Sequence, residues 1–184
     1  MLTLTFLVKT VIDLYVMVLL LRIWMQWSRC DFYNPFSQFI VKITQPIIGP
    51  LRRVIPSLGP VDSASLLVAF LLTTLKYPLL LLIQVGALSL SPMNLLVGLL
   101  SLLKATGMLV FWMVIVRSLM SWVSQGRSPF EFVLAQLTEP LMMPIRRILP
   151  AMGGIDFSGM GVILVLYLLN YLGMDLFPGL WNLL

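Results

Sequence analysis

The chain has 184 residues, of which 60% are hydrophobic and only 10% are charged, and its mean hydropathy is +1.02. Soluble domains carry roughly 25% charged residues, so this chain lacks the polar side chains needed to cover a water-facing surface. Its apolar stretches are long and continuous, which excludes a membrane β-barrel built from alternating segments of about ten residues. We therefore predict an all-α integral membrane protein.

The charge balance and the rare residue types limit the function classes. The formal net charge is +5, and no nucleic-acid-binding motif accompanies it, so anionic lipid headgroups are a better expected partner than nucleic acid. The chain contains no histidine and one cysteine, Cys30, which excludes histidine catalysis and an intramolecular disulfide. We expect no catalytic residue, no metal ligand and no bound cofactor.

Four apolar stretches are long enough to span a bilayer, which takes about 20 residues of α-helix. They cover residues 4–27, 64–88, 95–122 and 160–183. A short uncharged link joins the second stretch to the third, whereas a long loop follows the first stretch and another follows the third. The sequence therefore predicts a multi-pass protein with two long loops.

The two long loops contain the same proline and arginine pattern. It reads PIIGPLRRVIPSLGPVD at residues 46–62 and PLMMPIRRILPAMGGID at residues 140–156, and such a fixed offset indicates an internal repeat. We predict two modules, residues 1–90 and 91–184, each of which crosses the membrane twice, so that both run in the same direction. The matching loop positions are Pro46, Pro50, Pro56, Gly59 and Asp62 in the first module and Pro140, Pro144, Pro150, Gly153 and Asp156 in the second.

Each loop is predicted to begin with a short amphipathic helix. Asn34 and Ser128 are good N-cap residues, and each precedes a proline, which is favoured at the first helical position. Apolar residues then recur at helical spacing, which indicates a helix lying in the membrane surface with its apolar stripe on lipid. The stripe residues are Phe36, Phe39, Ile40, Ile43 and Ile47 in the first loop and Phe130, Val133, Leu134, Leu137 and Leu141 in the second.

The prolines frame a pair of arginines in each loop. Pro46 and Pro140 are expected to end the amphipathic helix, because an interior proline removes a hydrogen bond and clashes with the preceding turn. In the main interpretation the motif is structural and turns the chain back into the bilayer. Alternatively it forms a docking patch for lipid or protein, or an ion entrance, and the candidate binding residues are then Arg52, Arg53, Arg146 and Arg147.

Ionisable residues also lie within the predicted spans, at Asp13, Lys76, Lys104 and Asp175. A charge in the hydrocarbon costs several kcal/mol unless it is paired or hydrated. Helical rise places Asp13 and Lys76 within about 3 Å of the same depth, so they could pair, and so could Lys104 and Asp175. Three interpretations stay open: ion pairs that hold helices together, a polar path for an ion or proton, or side chains that extend toward the membrane surface without pairing.

Two further arginines, Arg22 and Arg117, lie close to the loop ends of the first and third spans. An arginine at such a position can extend its side chain toward the membrane surface. We therefore expect Arg22 to point toward Asp62 and Arg117 toward Asp156. Most cations lie in or near the long loops, so the positive-inside rule places these loops in the cytoplasm and both termini on the opposite side.

The doubled pattern P-x3-P-x-R-R-x2-P-x2-G-x2-D, preceded by NPF or SPF, resembles the YggT family over essentially the whole chain. The resemblance implies a small multi-pass protein of the bacterial cytoplasmic (inner) membrane. It also implies links to osmotic or ionic stress in bacteria. In plastid relatives it implies assembly of membrane complexes, including c-type cytochrome maturation.

Three function classes follow from these observations. The leading hypothesis is a non-enzymatic scaffold or assembly factor whose partners are the bilayer, a membrane protein or a second copy of the chain. The alternative is a small oligomeric ion channel or transport component, which the charges in the spans favour. An enzyme is the weakest hypothesis, since Ser101 and Lys104 resemble a Ser–Lys dyad but the first module has Phe6 in place of Ser101.

Overall fold

The computed structural model describes residues 2–124, 127–150 and 156–184. Within these ranges the chain forms seven α-helices and no β-strand. Gly153 lies outside the described residues. The helices are α1 (Leu2–Trp27), α2 (Pro35–Arg52), α3 (Ser63–Val85), α4 (Met93–Ser124), α5 (Pro129–Ile148), α6 (Ser158–Leu176) and α7 (Leu180–Leu183).

Four of these helices, α1, α3, α4 and α6, are long and apolar enough to cross a membrane. At most a third of the most apolar part of each helix is buried inside the chain, so their outer faces remain apolar and exposed. Such faces are stable against lipid and not against water. The predicted all-helical protein with four membrane-length helices is confirmed.

The long helices pack in the order α1, α3, α4 and α6, with α1 lying along α3 and α3 along α4. Gly98 permits the closest approach, because a Cβ atom at this position would lie 2.2 Å from Thr74 Oγ1 and 2.7 Å from Thr74 Cα. Small residues allow helix backbones to meet in this way inside membranes. The largest buried cluster lies between α1, α3, α4 and α5 and includes Leu19, Met25 and Leu137.

The loop helices are longer than the sequence predicts. Pro46 and Pro140 do not end them, since α2 continues to Arg52 and α5 to Ile148. Each loop helix contains a second proline four residues on, so the missing N–H groups fall on the same side of the helix and the helix continues past both. Asn34 caps α2 by accepting a hydrogen bond from Ser37 N at 2.8 Å, whereas Ser128 makes no such bond to α5.

Both loop helices begin at the same end of the bundle. The rings of Phe36 and Phe130 meet edge to face with their centroids 5.3 Å apart. The Gln136 side-chain oxygen accepts hydrogen bonds from Cys30 Sγ at 3.3 Å and from Asp31 N at 3.2 Å. The two long loops therefore share one side of the molecule.

The two apolar stripes lie in different surroundings. On α5, Val133, Leu134 and Leu137 are at most 2% exposed and pack into the core. On α2, Ile40 is buried, but its neighbours on the stripe are exposed: Phe39 by 58%, Ile43 by 37% and Ile47 by 46%. The expectation that both stripes face lipid is therefore wrong for α5, because its stripe packs into the core of the bundle.

Candidate functional site

The first loop returns to the bundle at Asp62, a fully buried carboxylate that precedes α3. Its Oδ1 accepts a hydrogen bond from Ser65 N at 3.4 Å, and its Oδ2 accepts one from Ser65 Oγ at 2.7 Å. An acidic residue at this position satisfies free N–H groups and interacts favourably with the helix dipole. Asp62 thus fixes the start of the second span.

Two arginines converge on the Asp62 carboxylate. Arg22, which is only 3% exposed, donates from Nε to Asp62 Oδ2 at 3.2 Å. Arg52 donates from Nε to Oδ1 at 3.3 Å and from Nη2 to Oδ2 at 2.5 Å. Arg22 also donates to Thr44 Oγ1 at 2.5 Å and to Gln45 Oε1 at 3.0 Å. We call these five residues the first arginine cluster, and it joins α1, α2 and α3.

The electrostatics of the first arginine cluster keep Asp62 ionised. Burial alone raises the pKa of Asp62, but hydrogen bonds from Arg52 and Ser65 outweigh it, so the pKa lies below its usual value of 3.8. Two guanidinium groups then face one carboxylate. One positive charge in the cluster is left unbalanced by an acidic side chain.

The second loop builds a related cluster with different pairing. Arg117 donates to Thr138 Oγ1 and to Glu139 Oε2, the latter at 3.3 Å. Arg146 bridges Glu139 Oε1 at 2.5 Å and Asp156 Oδ2 at 2.9 Å. We call these five residues the second arginine cluster. Arg117 does not contact Asp156 as expected, because Glu139 replaces Gln45 of the first loop and supplies a nearer carboxylate.

The second arginine cluster is more open and more evenly charged than the first. The side chain of Asp156 is 45% exposed and that of Glu139 is 38% exposed. Burial raises the pKa of Asp156, but hydrogen bonds from Ser158 and Arg146 more than offset this and lower it. Two arginines here face two carboxylates, so no charge is left over.

The structure divides each predicted arginine pair. Arg52 and Arg146 bind the aspartates of the clusters, although both side chains remain partly exposed. Arg53 and Arg147 are exposed, and neither forms an ion pair with any residue in the described ranges. Only the second arginine of each pair is therefore open to an anionic ligand.

The rest of the loop motif shapes the turn between α2 and α3. Gly59 has a φ of 62°, a left-handed conformation that a side chain disfavours. Leu58 and Val61 exchange backbone hydrogen bonds around it at 3.1 and 3.2 Å. The Pro56 carbonyl accepts a hydrogen bond from Ser63 Oγ at 2.6 Å. In the second loop Pro150 is exposed beyond the end of α5.

The structure brings Asp13 and Lys76 together inside the bundle. Lys76 is 5% exposed and its Nζ lies 2.9 Å from Asp13 Oδ1 and 5.0 Å from the centre of the Tyr77 ring. Tyr77 in turn accepts a hydrogen bond from Ser101 Oγ at 3.3 Å. This polar chain links α1, α3 and α4.

The other predicted pair does not form. Lys104 donates to the Trp181 carbonyl at 2.7 Å and lies 5.6 Å from the Trp181 ring centre, while Asp175 is exposed. Trp181 reaches Lys104 because α7 folds back onto α6, where Gly173 leaves room for the indole. Ser101 and Lys104 hydrogen-bond to different residues, Tyr77 and Trp181.

Sequence reasoning missed the polar residues that complete the clusters. Thr44 and Thr138 occupy matching positions in the two loops, and both are fully buried. A threonine repeated within an apolar stripe was the available signal. In the part of the chain that the structure describes, no group of three or more His, Cys, Asp or Glu residues could hold a metal ion.

A family profile described as CCB3/YggT matches residues 1–84 and 93–177. The chain is 60% identical over 187 residues to "Uncharacterized protein YggT" of Escherichia coli (strain K12), with 97% of each chain covered. It is 54% identical over 180 residues to "Uncharacterized protein in proC 3'region" of Vibrio alginolyticus, again with 97% of each covered. An uncharacterized protein of Haemophilus influenzae is 38% identical over 174 residues, with 95% and 93% covered. No solved structure matches the chain.

Proposed function

Because the chain belongs to the CCB3/YggT family, we propose that it is a non-enzymatic membrane scaffold or assembly factor that supports membrane organisation or osmotic and ionic stress tolerance. It lies in the bacterial cytoplasmic membrane as two parallel modules, residues 1–90 and 91–184. The long loops face the cytoplasm and both termini face the opposite side. The helix α2 lies at the inner membrane surface.

One observation carries this proposal: an arginine from a neighbouring span binds each loop helix through side-chain hydrogen bonds, and ion pairs reinforce the attachment. Arg22 ties α2 to α1 and α3, and Arg117 ties α5 to α4. The exposed Arg53 and Arg147 are therefore presented from a rigid base at the same end of the bundle. A rigid cationic surface suits the binding of an anionic lipid or of an acidic partner at low entropic cost.

Cross-linking in native membranes tests the scaffold proposal. The wild-type protein should cross-link through its loop face to a membrane protein or to a second copy. The double variant Arg53→Glu and Arg147→Glu should lose these cross-links, because it reverses both exposed charges. The matched control is Lys9→Glu, which changes an exposed cation at the opposite end of α1. Equal cross-linking in all three proteins would contradict the proposal.

A second candidate function is a small oligomeric ion channel, and the pair formed by Asp13 and Lys76 favours it. Lys76 is buried, whereas the Asp13 side chain is 43% exposed, so the pair opens toward one side of the bundle. Ion flux through purified protein in liposomes separates the two functions. Flux that disappears in Lys76→Met supports the channel, and the absence of flux supports the scaffold.

A further inference from the structure

The exposed side of α2 forms an open groove of about 570 Å³. It runs along about two turns of the helix, and an aromatic ring from the preceding segment also lines it. Most of its exposed lining surface is apolar, and a small polar part lies beside it. The lining residues are Phe32, Gln38, Val41, Lys42, Gln45 and Pro46.

The polar part of this groove suits an anion. Lys42 is exposed and forms no ion pair with a residue that the structure describes. Gln45 lies one turn further along, and its amide oxygen is occupied by Arg22, so its amide N–H groups are left to donate. Behind Gln45 lies the first arginine cluster with its unbalanced positive charge. One cation, Lys42, and the amide donors of Gln45 therefore line the groove.

The apolar stripe of α2 lies directly beside this groove. Phe39, Ile43 and Ile47 repeat at a spacing of four residues, so they share one face, and all three are exposed. Lys42 lies between this face and the groove on the helix surface. A cationic groove next to an apolar strip matches a phospholipid, whose anionic headgroup and acyl chains are joined in one molecule.

The second loop lacks both halves of this arrangement. Gln136 stands at the position of Lys42 and is held by Cys30 and Asp31, while Glu139 stands at the position of Gln45. Of the corresponding apolar residues of α5, Val133 and Leu137 are buried in the core and Leu141 is partly buried. The arrangement is therefore a property of the first loop and not of the repeat in general.

We propose that α2 holds one anionic phospholipid, with its phosphate at Lys42 and Gln45 and its acyl chains along Phe39, Ile43 and Ile47. The inference rests on the proposed position of α2 at the membrane surface and assigns that surface a specific lipid site. The second loop holds no equivalent lipid. A zwitterionic phospholipid is bound more weakly, because it carries no net charge to meet Lys42.

Native mass spectrometry of the full chain in detergent tests this site, with phosphatidylglycerol and phosphatidylcholine as probes. Lys42→Gln should weaken phosphatidylglycerol binding about fivefold, the effect of one charge near a membrane surface, and Lys42→Arg should restore it. The matched control Lys9→Gln removes an exposed cation from the opposite end of α1 and should leave binding unchanged. Since Lys42 is exposed, circular dichroism should show all three variants folded.

Three results would overturn the lipid site. They are equal weakening by Lys9→Gln, equal retention of the two lipids by the wild-type protein, and displacement of the lipid by soluble glycerol phosphate at similar concentrations. The scaffold proposal is tested separately, through the cross-links of Arg53 and Arg147. Lost lipid selectivity with intact cross-links would overturn this inference alone.

Discussion

Replacing Asp62 with asparagine tests whether the first arginine cluster holds the loop to the spans. Asparagine has nearly the same shape and also caps helices well, so the local start of α3 is preserved. The change removes the negative charge that two arginines share. The measured loss of stability therefore reports the charge and not the cap.

The burial of Arg22 sets the size of the effect. Arg52 has a side chain 39% exposed and can turn toward water, whereas Arg22, at 4%, cannot. Removing one partner of a buried ion pair destabilises a protein by roughly 3–5 kcal/mol. Because Arg22 keeps its hydrogen bonds to Thr44 and Gln45, we expect the lower end, about 3 kcal/mol.

The second module offers a matched control in Asp156→Asn. Asp156 is 45% exposed, and its partner Arg146 keeps a second carboxylate, Glu139. Ion pairs this exposed contribute about 0–1 kcal/mol. The two variants should differ by about 2.5 kcal/mol, or roughly 70-fold in the ratio of folded to unfolded protein.

Unfolding in mixed micelles of dodecyl maltoside with increasing sodium dodecyl sulfate gives this comparison. The five tryptophans of the chain report unfolding by fluorescence, and circular dichroism reports loss of helix. A loss below 1 kcal/mol for Asp62→Asn would show that Arg22 is hydrated rather than buried. An equal loss for both variants would show that the two clusters do not differ as the exposures indicate.

Three further predictions concern the bundle and its response to acid. Asp13→Asn should cost about 3 kcal/mol because it strands the buried Lys76, while Lys76→Met should cost less because Asp13 is partly exposed. Gly98→Ala should lower the thermal midpoint in detergent, because overpacking costs typically 1–3 kcal/mol and the new Cβ would meet the backbone of Thr74. The contribution of Asp62 to the free energy of unfolding should be fully present above pH 3.8 and should be lost as the pH falls below it. The reason is that the pKa of Asp62 is lower in the folded state than its usual value, and protonation removes its ion pairs with the arginines.

Each of these predictions has its own control. Gly107→Ala lies in the same helix and meets nothing within 4 Å, so it should be neutral or slightly stabilising. If Lys76→Met lost more stability than Asp13→Asn, Asp13 rather than Lys76 would be the more deeply buried partner. The acid response should be weaker in Asp62→Asn, and an identical response in that variant would assign it to other carboxylates.

Hydrophobic patterning predicted the long helices well, because a span requires about 20 apolar residues whatever its neighbours are. The contact between Asp13 and Lys76 could also be predicted, since helical rise fixes the depth of each residue. The C-terminal ends of α2 and α5 could not be predicted from the sequence. A single proline predicts a helix end. In α2, however, Pro46 and Pro50 lie four residues apart, so both missing N–H groups fall on the same side of the helix. The first arginine cluster also holds this helix in place.

The depth of a charged residue in the membrane does not determine which of several groups at that depth it binds. Lys104 and Asp175 lie at similar depths, yet Lys104 binds a backbone carbonyl because α7 folds back against Gly173. Whether a short terminal helix turns inward depends on tertiary packing, which helical periodicity does not record. The same limit applies to Arg117, whose choice of Glu139 depends on where α5 lies.

The differences between the two loops follow from a few residues that differ at matching sequence positions. Both loops keep the threonine, the arginine pair and the aspartate, so both can be fixed to their spans. Glu139 of the second loop stands at the position of Gln45 in the first. Its negative charge balances the second arginine cluster, and Arg117 pairs with Glu139 instead of Asp156. The packing of α5 into the core then removes its stripe from the surface, while α2 remains at the edge. The residues that the loops share account for how both are held, and the residues that differ leave the unbalanced positive charge and the exposed apolar stripe on the first loop.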